Sequence, residues 1–293
     1  MSLFESTRQK IVPTNNSRDI IMNKVLLIAL ASMLFIGCSE PSKTSSVPTV
    51  ADAKSEASNE QTASADRVVN LEETQALVLL SGLPTLGTEN SIAIIEMDPE
   101  SANFGNILYD YALPKLDAPM HHLYYSPNGR LYATGLGSQC SLAEIRLVRN
   151  SAAKPIISNF ECLNTNGQNV GEDIMWHSVN GELLMFVTFM GGSDLTQLDA
   201  GTVGVFNAQT NEVIKIIEAR KSQVEPGQPY IMFPHGISAY GDRMVVTSSV
   251  HPSIATEVGN TVTIIDLNTL APIETIVIED AKPVGFPSSP VEV

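Results

Sequence analysis

The chain has 293 residues, 43% of them hydrophobic and 17% charged, which is globular material sufficient for one large domain or two small ones. Lysine and arginine number 17 against 32 aspartates and glutamates, a formal net charge of −15. So acidic a surface, interrupted by no basic cluster, repels phosphate backbones and argues against a nucleic-acid partner.

Near the N-terminus Lys24 is followed by an apolar run from Val25 to Gly37 and then Cys38. A cation and a short apolar run closed by a small residue is the layout of an export signal. The run is shorter than the roughly 20 residues a spanning helix needs. Its end, Leu34-Phe35-Ile36-Gly37-Cys38, resembles the lipobox of bacterial lipoproteins, with Phe35 where that pattern has Leu. The resemblance implies cleavage before Cys38 and acylation of its thiol. Ser39, standing where Asp would favour inner-membrane retention, implies the periplasmic face of the outer membrane. Met22 is the more natural start, because Glu5 to Asp19 is polar and fits no signal. Residues 1–21 therefore read as an over-extended start and 22–37 as the signal peptide. Residues 38–66, small and acidic without apolar periodicity, read as a disordered tether. As a flexible coil it has an end-to-end distance of roughly 30 Å.

Residues 67–293 form the folded part, and from Leu77 the pattern is one of strands, with Val, Ile and Thr gathered in short runs bounded by Gly, Asn, Asp and Pro. Three segments share a design of strand, Ser-x-x-Gly turn and second strand: His122 to Thr134, Met175 to Val187 and Pro234 to Thr247. Asn128-Gly129 and Asn180-Gly181 supply the positive φ angles of tight hairpins. The last two hairpins are each followed by a strand pair, Thr202–Asn207 with Glu212–Ile217 and Thr261–Leu267 with Ile273–Ile278. Four strands per unit, recurring at 52 and 60 residues between Ser126, Ser178 and Ser238, predict an all-β chain, a β-propeller of four-stranded blades. About four to five blades are expected by that repeat length, the last one incomplete at Val293.

These units look like bacterial propellers built on Pro-His-Gly-Ile and Ser-Pro-Asn-Gly-Arg-Leu-Tyr turns. More narrowly, Leu77-Val78-Leu79, Gly82-Leu83, Ser91 to Glu96, His121 ahead of the Gly129 hairpin, Asn260 to Leu267 and Pro290 to Val293 resemble the selenium-binding protein/methanethiol oxidase family. The resemblance implies a propeller with a copper-dependent oxidase activity. The chain departs from it in three places. A tether stands where the family has a His-His and Cys-rich segment, Tyr124 stands where it has a second histidine, and its C-terminal metal-binding histidines would fall beyond Val293.

With Cys38 lipidated, Cys140 and Cys162 remain in an oxidising compartment, which favours a disulfide over two buried thiols. Four of the five histidines, His121, His122, His235 and His251, fall at entry ends of innermost strands or in an adjoining loop. A radial fold brings such ends together, and imidazoles suit copper or zinc; the competing reading is polar filling of a solvated channel. His177, nearer its turn, reads as structural. Asp194 and Asp199 lie in a Gly-rich loop that reads as solvated, with calcium binding the alternative. No phosphate loop, nucleophile elbow or zinc-protease helix is present. The expected function is a lipid-anchored module that binds a small molecule or protein. A copper-dependent oxidase is the alternative and a lactonase-like hydrolase a remote third.

Overall fold

A computed structural model describes residues 74–83, 86–116, 118–149, 154–193, 196, 201–218, 227–278 and 290. The expected export signal, Cys38, the tether, Asp194, Asp199 and Val291 to Val293 lie outside the described residues. Seventeen strands and no α-helix are present among them. They form four antiparallel sheets that do not close into a ring, plus a small hairpin. The first sheet is β1 (Gln75–Leu80), β2 (Ser91–Glu96) and β3 (Ile107–Ala112). The second is β4 (Met120–Tyr125), β5 (Leu131–Gly135), β6 (Leu142–Arg149) and β7 (Pro155–Cys162). The third is β8 (Asn169–Val179), β9 (Glu182–Gly192), β10 (Thr202–Asn207) and β11 (Val213–Ile217). In the fourth, β12 (Pro234–Tyr240) and β13 (Arg243–Ser248) pair with β16 (Thr261–Asp266) and β17 (Ala271–Val277). The hairpin β14 (Val250–His251) and β15 (Ile254–Val258) is inserted between its middle strands. This is the β-propeller architecture expected from the repeat, in four sheets.

The second strands of the middle sheets are buried on both faces, which explains their unbroken apolar reading. Successive side chains of a strand point to opposite faces. On β9, Met185, Val187 and Phe189 pack with Tyr132 and Leu142 of the second sheet. Leu184 and Phe186 pack with Ile237, Met244 and Val246 of the fourth. A third cluster joins Ile92 of the first sheet to Leu131, Ala133 and Ile145 of the second. Each buried Phe, Leu or Ile contributes roughly 1.5–3 kcal/mol.

Turn chemistry sets the hairpins, and the two Asn-Gly pairs differ. Asn180 (φ 52°) and Gly181 (φ 85°) are both left-handed and close β8 onto β9 in two residues, as a type I′ turn requires. At 128–129 only Gly129 is left-handed (φ 78°). There the connection from Tyr125 to Leu131 is five residues long and is closed by Ser126, whose amide donates to Arg130 O at 2.8 Å.

Where β4 begins, β1 ends: the hydroxyl of Ser81, just past β1, donates to the Met120 carbonyl. Strand β1 thus corresponds to the second strands β5, β9 and β13, and the described part of the first sheet contains no counterpart of β4. Asn90 completes this junction, its Oδ1 accepting Gly82 N and Met120 N, both at 2.8 Å.

Cys140 and Cys162 are joined in a disulfide, Cα to Cα 5.3 Å. It staples the turn entering β6 to the end of the outermost strand β7. The turn is tightly seated. A Cβ on Gly135 would fall 2.1 Å from Cys140 O, and one on Gly171 of the next sheet 2.0 Å from Ser141 O. Replacing both cysteines by alanine is expected to cost about 3 kcal/mol, from the entropy of a loop of this length, read as the loss of unfolding free energy in urea. A loss below about 1 kcal/mol would mean that packing alone holds the turn.

Candidate metal centre

Strand β8 lies against both β4 and β12, and each of the three is irregular in its first half. The ladder slips between Met120 and Leu123, between Gly171 and Ile174, and between Pro234 and Ile237. In each slip two residues of the inner strand oppose one of its neighbour. Such bulges bend a strand and re-aim its side chains. The bulged pairs are His121-His122, Glu172-Asp173 and His235-Gly236.

The three bulges converge on one carboxylate oxygen. Glu172 Oε2 lies 2.9 Å from His121 Nδ1, 3.4 Å from His235 Nε2 and 3.8 Å from His122 Nε2. It is buried and, among the described residues, accepts no aligned hydrogen bond. Donor atoms of His121, His122 and Glu172 all lie within 4.8 Å of one another and could hold a metal ion. The rings of His121 and His122 are 3.9 Å apart and those of His122 and His235 6.4 Å apart. Burial acts to raise the Glu172 pKa. The 2.9 Å contact with His121 and the charges of His121, His235 and His122 outweigh it and hold the carboxyl below its ordinary value. His122 is pushed down to about 4, by burial first and then by His121, with Glu172 opposing. At neutral pH this leaves a carboxylate facing an unprotonated imidazole, the forms in which both bind metals.

Backbone strain marks the same place. Val170 (φ 57°) and Phe233 (φ 43°) are left-handed, each two residues before a site side chain. Such a conformation costs a bulky residue about 1–3 kcal/mol and persists only where the surroundings impose it. Both are buried together with Met190 and Met232.

The neighbouring carboxylate points elsewhere. Asp173 Oδ1 accepts the Tyr124 hydroxyl at 2.7 Å and Ile174 N at 2.8 Å, and its Oδ2 accepts Ile237 N at 3.0 Å. It therefore ties β4, β8 and β12 together.

Of the histidines singled out in the sequence, His121, His122 and His235 surround Glu172. His251 is placed on β14 with its ring edge on Phe233 at 5.3 Å and its Nδ1 accepting Ser253 N at 3.0 Å. Neither it nor His235 belongs to the close group of His121, His122 and Glu172, although His235 still reaches Glu172. His177 Nε2 donates to Gly241 O at 3.1 Å, joining the end of β8 to the β12–β13 turn of the next sheet. Glu172 was not foreseen. Aligning the repeats on the ladder rather than on the turn serines would have found it, since Leu123, Ile174 and Ile237 each follow a bulge directly.

Fold and site together define a β-propeller with a histidine–carboxylate cluster on its innermost strands. Its fold is similar to the X-ray structure of a hypothetical selenium-binding protein from Sulfolobus tokodaii (16% identity, TM-score 0.52), covering 70% of this chain and 49% of that one. The chain thus spans about half the length of that protein. A second structure, the dihydro-heme d1 dehydrogenase NirN, aligns at 10% identity and TM-score 0.37 over 67% of this chain and 36% of that one. No family model and no curated protein sequence matches the chain.

Proposed function

We propose that the chain is a lipid-anchored propeller of the cell envelope that binds copper or zinc through His121, His122, Glu172 and His235. The observation that carries this is the buried Glu172 Oε2 with three imidazole nitrogens within 3.8 Å and, among the described residues, no aligned hydrogen bond. A nitrogen and oxygen donor set of this kind suits both metals. Zinc held there would supply Lewis acidity, and copper one-electron redox chemistry. The sequence from Lys24 to Cys38 supports the anchor, with a partner or small ligand recognised at the envelope and no nucleic acid.

The second reading, a copper-dependent oxidase of the selenium-binding type, draws on the likeness of fold to the Sulfolobus protein. It predicts thiol-dependent oxygen consumption by the copper-loaded protein, which a pure binding module lacks.

The test uses the full chain expressed in a bacterium. After dialysis, elemental analysis should find zinc or copper on the wild type and little on His235→Ala. Cys38→Ser should move the protein from the membrane to the soluble fraction. A wild type that retains neither metal overturns the metal reading, and an unmodified residue upstream of Cys38 in the intact mass overturns the anchor.

A further inference from the structure

In all three bulges the single residue opposing the bulged pair is a threonine. These are Thr134 on β5, Thr188 on β9 and Thr247 on β13. All three are buried, where a hydroxyl without partners is costly, and their hydroxyls are used in a repeated way. Thr134 Oγ1 accepts His122 N at 3.2 Å in its own sheet and donates to Glu172 O at 2.8 Å in the next. Thr188 Oγ1 accepts Asp173 N at 2.9 Å in its own sheet and donates to His235 O at 2.6 Å in the next. Thr247 Oγ1 accepts Gly236 N at 2.9 Å.

We infer that Thr134 and Thr188 are the positioning residues of this site, forming a relay that sets the spacing of its side chains across the sheets. The relay runs from His122 through Thr134 to the Glu172-Asp173 bulge, and from there through Thr188 to His235. A hydroxyl can accept and donate at once, so one atom fixes two bulges that no backbone ladder joins. Serine could do the same. Valine, of equal shape, could do neither. The residues bonded are the site residues themselves or, for Asp173, the immediate neighbour of one. A shift in either threonine therefore moves two corners of the site in neighbouring sheets. Partners that orient metal ligands typically contribute 10- to 100-fold to affinity. As a statement about metal affinity the inference rests on the metal reading above; as a statement about the relay it stands without metal.

The experiment is a set of four variants of the full chain, Thr134→Val, Thr134→Ser, Thr188→Val and Thr188→Ser. Zinc affinity is measured by competition with a chromophoric chelator at a temperature where every variant is folded. Amide hydrogen exchange at His122 and Asp173 is measured on the metal-free proteins. The valine variants should bind zinc about 10-fold or more weaker and lose amide protection at the residue whose N–H the threonine accepts. The serine variants should restore most of both. Valine variants with wild-type affinity, or serine variants no better than valine, overturn the inference. If the wild type itself binds no zinc, the metal reading fails and amide exchange alone decides the relay: unchanged protection in the valine variants overturns it, and lost protection regained with serine upholds it.

Discussion

Glu172→Gln is expected to abolish retention of zinc or copper while leaving the domain folded. The side chain is 1% exposed, so the amide enters the same space with almost the same shape. It brings no negative charge, and its nitrogen turns donors toward imidazoles that face an oxygen in the native site. His121 and His122 remain on one strand, and His235 on another, with nothing central to join them. Losing a partner that only orients a ligand costs about 10- to 100-fold in affinity, so losing the shared ligand should cost at least about 100-fold. Chelator competition measures the affinity and urea unfolding of the metal-free protein checks the fold. An unchanged affinity in a folded Glu172→Gln variant would exclude Glu172 from metal binding.

Asp173→Ala should cause a large loss of stability in the metal-free protein. Its carboxylate accepts three hydrogen bonds, from Tyr124, Ile174 and Ile237, on three different strands. Hydrogen bonds to a carboxylate contribute about 1.5–3 kcal/mol each, and the donors left behind lose their partner. A total of about 3 kcal/mol or more is expected. Tyr124→Phe removes one of the three and should cost about 1.5 kcal/mol. Urea midpoints of the two variants measure this, and a loss below about 1 kcal/mol for Asp173→Ala would show that the inner strands are held by side-chain packing instead.

Much of the architecture was legible because it depends on local chemistry. Asn180-Gly181 can close a two-residue hairpin, and the Thr202–Asn207 pair turns at Asn211, which is left-handed at φ 62°. Leu183 to Val187 read as a strand, although its continuous apolarity hid the fact that its two faces serve two different sheets. The histidines could be singled out because imidazole is rare in this chain, with five in all. Glu172 was not visible in the same way. A carboxylate is ordinary in so acidic a sequence, and only a ladder slip, which depends on long-range pairing, turns it inward. The threonines were hidden for a related reason. Thr is the expected residue of a strand, and nothing local distinguishes one that bonds across to the next sheet from one that does not. The place of His251 depended on the β14–β15 hairpin, where its ring meets Phe233, a contact that no sequence motif announces.

The close seating of Ser141 against Gly171 has a consequence for the order of events in the life of the chain. The turn held by Cys140 and Cys162 is the surface on which the strand carrying Glu172 rests, one residue from that side chain. While the cysteines are reduced, this turn has no covalent link to β7 and is held by weaker contacts such as the hydrogen bonds from Gly135 N to Ser141 O at 3.1 Å and from Ser141 Oγ to Gln168 O at 2.6 Å. Thiols stay reduced in the cytosol and pair in the periplasm. Under the proposed export, oxidation would come first and metal second, the disulfide setting this turn before the bulge that carries Glu172 meets an ion.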